Sequence, residues 1–344
     1  MIENTIERSQ KELTKDDFIS DQMVKWCAGC GNHSILSSLA TTFPKTGYRK
    51  ENFLLISGIG CSSRLPYYVN SYGFHGIHGR AAAIASGAKI ANPGLSVWLI
   101  SGDGDSLAIG GNHFIHLVRR NVDINYLLFN NQIYGLTKGQ FSPTSPLGAV
   151  TKTSPYGTIE NGFNVGELVI GAQGTFFARV LDSNPKMMSE VMYEAAKHDG
   201  TSVIEILENC VIFNDKCHSL LSSKETRDDN QLILVAGQKM LFGKDRKKGI
   251  IMKDYKLKVV EIGKNGITED DILTHNPYEP NHGLQLMLAQ MAPPEYPVAL
   301  GVIRTINRPT FDDMMEESIR HAKETIDIKS VDELLNSGDV FEIK

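Results

Sequence analysis

Asp103 and Asp105 stand in Gly102-Asp103-Gly104-Asp105, and Asn131 closes Asn130-Asn131, each motif directly after an apolar run. The two runs, 95–100 and 124–129, read as buried strands. A carboxylate and a carboxamide therefore reach one sheet edge beside glycines that leave backbone N–H groups bare. Oxygen ligands with backbone donors nearby suit a hard divalent cation bridging a diphosphate. A single Gly-Asp-Gly is ordinary turn chemistry; two such turns on one edge are informative.

The five cysteines are unevenly placed. Cys27 and Cys30 form a C-x-x-C, Cys61 follows the run 53–59, and Cys210 and Cys217 follow the run 203–207. A C-x-x-C is redox-active, metal-binding or incidental, and its spacing leaves all three open. In open parallel sheets, ligands bind beyond the carboxyl ends of strands. Cys61, Asp103, Asn131 and Cys210 each lie just past a strand-like run, so a single composite site is expected.

The elements that must position these residues alternate along the chain. Strand-like runs at 53–59, 95–100, 124–129, 175–181 and 203–207 are interleaved with helix-like segments at 81–91, 111–120 and 186–198. Pro185 begins the last of these helices, and a Gly-, Pro-, Ser- and Thr-rich loop fills 135–156. The pattern predicts an α/β fold with a mostly parallel sheet and helices on both faces. Residues 1–23 read as an N-terminal arm and 24–225 as the main domain; 226–344 read as a C-terminal extension packing on that domain and on a partner subunit. Within the extension, the charged stretch Lys244–Lys248 reads as part of a solvated hairpin, with docking of an acidic electron carrier as the sharper alternative. An amphipathic helix is expected near 312–325.

Composition narrows the function classes. The 344 residues are 41% hydrophobic and 22% charged, ordinary values for a globular protein. A net charge of −5, from 35 basic and 40 acidic residues, gives no support to nucleic-acid binding. No apolar run approaches the roughly 20 residues of a membrane helix. The polar, charged N-terminus does not read as a secretory signal, and a cytoplasmic location is expected.

Asp103, Asn131 and the position two residues on, Ile133, match the thiamine diphosphate–Mg²⁺ motif of thiamine-dependent enzymes in type and spacing. Further segments narrow the match: Trp26-Cys27-Ala28-Gly29-Cys30-Gly31-Asn32, Gly58-Ile59-Gly60-Cys61-Ser62, His78-Gly79-Arg80-Ala81, and Tyr134-Gly135-Leu136-Thr137-Lys138-Gly139-Gln140 with Ser142-Pro143-Thr144. Together they resemble the β subunit of 2-oxoacid:ferredoxin oxidoreductases over nearly the whole chain.

The resemblance implies that Asp103, Asn131 and the Ile133 carbonyl hold Mg²⁺, and that Cys27, Cys30, Cys61 and Cys210 hold a [4Fe–4S] cluster, with Cys217 surplus or a substitute for Cys210. It implies further contacts to thiamine diphosphate from Ile59, Gly60, Cys61, Ser62, His78, Gly102, Gly104, Asp105, Gly135, Leu136 and Thr137. Arg64 and Lys138 are candidates for binding substrate carboxylates, because both carry a positive charge. The implied reaction is the coenzyme A-dependent oxidative decarboxylation of a 2-oxoacid, 2-oxoglutarate favoured over pyruvate or other acids, with electrons passing to ferredoxin. Such enzymes need a glutamate from a second α/β domain. This chain has room for one, so a partner α subunit is expected to supply it in an αβ or (αβ)₂ assembly. Two alternatives stand beside this reading: a non-oxidative thiamine-dependent decarboxylase with a structural zinc, and a non-catalytic scaffold.

Overall fold

A computed structural model describes residues 6, 8–9, 11–341 and 343. The main sheet is built from β1 (Phe53–Ser57), β2 (Tyr72–His75), β3 (Ser96–Gly102), β4 (Asn125–Asn130), β5 (Phe176–Leu181), β6 (Ser202–Leu207), β7 (Gln231–Ile233) and β8 (Val298–Thr305). Its eight strands run in the order β2-β1-β3-β4-β6-β5-β8-β7. The six from β2 to β5 are mutually parallel; β8 pairs antiparallel with β5 and parallel with β7. A mostly parallel α/β sheet is therefore what the alternating pattern produces.

The strands are apolar on both sides because both faces are covered. In β3, Val97 and Leu99 point into one core while Trp98 and Ile100 point into the other. In β4 the same alternation places Tyr126 and Leu128 against Leu127 and Phe129. One face is covered by α2 (Ala81–Ala91), α4 (Gly111–Arg120), α5 (Val165–Gly171) and α7 (Gly283–Gln290); the short α3 (Asp103–Leu107) follows β3 directly. The other face carries α1 (Asn32–Thr46) and α6 (Pro185–Lys197). α6 starts where its sequence predicts. The Asn184 side chain caps the Met187 N–H at 3.2 Å, and Pro185 follows, where a missing N–H costs nothing.

Residues beyond 226 contribute β7 and β8 to the main sheet. Between them lies a three-stranded antiparallel sheet, 241–242, 248–253 and 256–261. Lys244–Arg246 form a short turn before its second strand, and Lys248 pairs with Asp229 at 2.7 Å. The amphipathic segment near the C-terminus forms the helix Phe311–Thr325, α8. At the other end, the turn Lys15–Phe18 packs the buried Phe18 ring against Phe43 of α1 and Phe53 of β1. Of the N-terminal arm, residues 1–5, 7 and 10 lie outside the described residues.

The strand order matters most for function. β1, β3, β4 and β6 are successive neighbours, so the turns leaving their carboxyl ends stand side by side.

Candidate functional site

Those four turns carry Cys61, Asp103, Asn131 and Cys210, and the fold brings them to one edge of the sheet. Every residue expected to touch the cofactor lines one narrow cleft there, together with Phe129 and Tyr134. Tyr134 opens the Tyr134–Gln140 segment. Its hydroxyl donates to the Gly104 carbonyl at 3.0 Å, and its ring lies where a Gly104 side chain would be, 2.3 Å from an added Cβ. Glycine at 104 is a requirement of close packing.

Asp103 is 2% exposed, and its Oδ2 accepts hydrogen bonds from Ser142 Oγ at 2.5 Å and Thr144 Oγ1 at 2.6 Å. Burial pushes the carboxyl up to about 6, against the lowering effect of the two hydroxyls. A buried carboxylate with polar company suits a cation, whose charge offsets the desolvation.

The two asparagines divide their roles. Asn130 turns inward: its Nδ2 donates to Glu205 Oε1 at 2.7 Å, and Arg179 Nε donates to Glu205 Oε2 at 2.6 Å. Asn131 reaches the cleft. Its Nδ2 donates to Glu208 Oε2 at 3.1 Å, and its Oδ1 accepts from the Ile133 N–H at 3.3 Å. With the amide nitrogen engaged by Glu208, the oxygen keeps a lone pair for a cation.

A second cavity, about 530 Å³, adjoins the first. Cys27, Cys30, Cys61 and Cys210 all line it, and all are free thiols. Cys27 and Cys30 arrive from the loop ahead of α1, which is tied to the end of β6 by the Gly31 N–H to Asn209 carbonyl bond at 3.4 Å. The Trp26 indole donates to the Cys61 carbonyl at 2.7 Å and holds that turn against the loop. Burial raises the Cys61 thiol to about 11, and Cys30 is pushed up by burial and by Glu208. Coordination to a metal reverses that cost, since the thiolate is the ligand. Cys217 is not among the lining residues; its sulfur sits 3.6 Å from the Glu208 carbonyl. Among the described residues, no three His, Cys, Asp or Glu side chains form the tight group that a single ion takes.

The two cavities share Cys61, Asn131, Gly135 and Leu136 as lining residues. Arg64 lines the cysteine cavity with Lys25; Lys138, in a turn with φ +77°, lines neither. Glu208 escaped the sequence reading. It is 1% exposed and lines the cysteine cavity, bonded on one side to Asn131 and on the other accepting from Cys30 Sγ at 3.4 Å through the oxygen that does not serve Asn131. A glutamate one step past a buried strand was its only signal in the sequence. His78 also reaches the cleft, with Nδ1 2.5 Å from Asp105 Oδ1.

Residues 58–206 match the family model described as thiamine pyrophosphate enzyme, C-terminal TPP binding domain. The chain is 44% identical over 308 residues to a 2-oxoglutarate oxidoreductase subunit KorB of Mycobacterium tuberculosis, covering 89% of this chain and 82% of that one. It is 41% identical over 199 residues to the β subunit of a 2-oxoacid:ferredoxin oxidoreductase of Aeropyrum pernix, covering 58% and 64%. Among solved structures, a 2-oxoglutarate:ferredoxin oxidoreductase from Magnetococcus marinus, with 2-oxoglutarate, coenzyme A and succinyl-CoA bound, superposes with a TM-score of 0.77 at 29% identity. That superposition covers 98% of this chain and all of the other.

Proposed function

This chain belongs to the β-subunit (KorB) family of 2-oxoacid:ferredoxin oxidoreductases, and on that premise we propose that it is the thiamine diphosphate-binding half of a 2-oxoglutarate-oxidising enzyme. The reaction is coenzyme A-dependent oxidative decarboxylation, with electrons leaving for ferredoxin. One observation carries the reading: the oxygen-ligand cleft and the cysteine cavity share a wall at Cys61 and Asn131.

Asp103 and Asn131, with the Ile133 carbonyl, are the groups that would hold Mg²⁺ against a diphosphate. When bound, thiamine diphosphate supplies the carbanion chemistry of decarboxylation. The protein's share is position and charge. Ser142 and Thr144 set the Asp103 carboxylate, Glu208 sets the Asn131 amide, and the Gly104–Tyr134 packing closes the cleft wall. Cys27, Cys30, Cys61 and Cys210 would hold a [4Fe–4S] cluster. What supports this is that four free thiols from three separate chain segments line one cavity.

The names of the relatives favour 2-oxoglutarate. Arg64, on the cysteine cavity, is a cation for a substrate carboxylate, and Lys138 is a second candidate. An α subunit completes the site with the activating glutamate in an αβ or (αβ)₂ assembly in the cytoplasm. Among the described residues, no helix is long and apolar enough to cross a membrane.

Co-purification with the α subunit, followed by ferredoxin reduction across a panel of 2-oxoacids with coenzyme A, tests the proposal. Fastest turnover with 2-oxoglutarate and none from the isolated chain is expected. Preference for pyruvate would move the substrate, and reduction by no 2-oxoacid would overturn the reading. Iron analysis separates a cluster from structural zinc.

A further inference from the structure

We propose that Asp105 is a positioning residue that locks the His78 imidazole in one tautomer and presents its other ring nitrogen to the cleft. Asp105 and Asp103 share a short motif, yet their surroundings differ. Asp103 meets hydroxyls from the 142–144 loop, whereas Asp105 turns toward the residues after β1 and β2. Asp105 is 3% exposed and accepts two hydrogen bonds, from the Gly79 N–H at 2.8 Å on Oδ1 and from Ser101 Oγ at 2.7 Å on Oδ2, while His78 Nδ1 lies against Oδ1 at an ion-pair distance of 2.5 Å.

The socket is built by close approach. A Cβ on Gly58 would stand 1.8 Å from Asp105 Oδ2, so the first turn after β1 has no room for a side chain there. The carboxylate cannot swing away from His78 without losing the Gly79 and Ser101 bonds as well.

The consequence for His78 follows from hydrogen-bond inventory. Both Asp105 oxygens already serve as acceptors, for Gly79 and Ser101, so the ring nitrogen that abuts this carboxyl group is the one that carries the hydrogen: Nδ1–H. Nε2 is then the ring nitrogen left for a ligand. The ring is half exposed and lines the cleft with Asp103 and Asn131, so that nitrogen is available to a bound molecule. A histidine whose tautomer is set by a carboxylate at its far nitrogen is the arrangement that enzymes and metal sites use to aim an imidazole.

The inference rests on the proposed function only for the ligand, thiamine diphosphate; the dyad itself stands on the geometry of this chain. Two measurements on the αβ complex test it. First, ¹⁵N shifts of His78 in the ligand-free wild type report the tautomer, with Nδ1–H expected; an Nε2–H ring overturns the proposal whether or not any variant folds. Second, calorimetric affinity for thiamine diphosphate with Mg²⁺ is compared in a double-mutant cycle of Asp105→Ala and His78→Ala. Asp105→Ala is expected to weaken binding about 10-fold in the wild-type background and to have little effect once His78 is gone. The same loss in both backgrounds shows a purely structural role for Asp105 and overturns the proposal. Asp105→Asn, whose Oδ1 still accepts from His78 and Gly79, should restore the tautomer. Failure of the wild type to bind thiamine diphosphate would sink the proposed function and leave the tautomer result standing.

Discussion

Glu208 accepts a hydrogen bond from the Asn131 carboxamide at 3.1 Å, and this contact fixes which end of the amide faces the cleft. The other Glu208 oxygen accepts from Cys30 at 3.4 Å, so one buried side chain touches both halves of the site. Glu208→Ala should therefore weaken Mg²⁺-dependent thiamine diphosphate binding about 10- to 100-fold, the usual cost of losing a residue that orients a ligand. Glu208→Gln, which can still accept from Asn131, should recover most of it. Calorimetric titration of the assembled complex reads both.

Thr144 and Ser142 do for Asp103 what Glu208 does for Asn131. Thr144→Val keeps the shape and removes the hydroxyl that meets Oδ2 at 2.6 Å. Mg²⁺ affinity should fall roughly 10-fold, with a stability loss of about 1–2 kcal/mol because the same hydroxyl also meets Asn130 Oδ1 at 2.9 Å. An unchanged affinity would show that the 142–144 loop is only a lid.

Much of this was legible beforehand. The helices at 81–91 and 111–120 lie where the pattern places them, because alanine-rich or amphipathic runs end at clear stops. β3, β4, β5 and β6 lie within one or two residues of their expected ranges, since strands buried on both faces read as unbroken apolar runs. β2 (Tyr72–His75) escaped notice because an edge strand with every residue exposed has no apolar alternation to see. α1 (Asn32–Thr46) follows a glycine-rich loop and is full of Ser and Thr, and β8 enters the sheet antiparallel to β5, from more than 100 residues further along the chain. The contacts from Asp105 to His78 and from Glu208 to Asn131 join residues 27 and 77 apart in sequence, and only the folded sheet brings them together.

Gly104→Ala should destabilise the chain by about 1–3 kcal/mol, because its Cβ would meet the Tyr134 ring at 2.3 Å. The ring would have to move and take its bond to the Gly104 carbonyl with it. Denaturant unfolding measures the loss. Gly111→Ala, where a Cβ meets nothing within 4 Å, is the control and should be neutral or better.

His198 gives a pH signature away from the site. Burial lowers its imidazole from 6.5 to about 4, and its ring lies 2.9 Å from Thr175 Oγ1. A histidine held neutral contributes stability fully above its unfolded value of about 6.5, and that stability is lost as the pH falls toward about 4. The stability advantage of wild type over His198→Gln should therefore shrink by about 3 kcal/mol across that window. A constant difference from pH 7 to pH 4 would contradict it.

The most direct test is optical. The assembled complex, kept free of oxygen, is mixed with 2-oxoglutarate and coenzyme A while the visible absorbance of the proposed iron–sulfur cluster is followed. Wild type should bleach, and Asp103→Ala, with the same iron content, should not. Equal bleaching in both, or none in wild type, would contradict an oxygen-ligand cleft at Asp103 that feeds electrons into the neighbouring cysteine cavity.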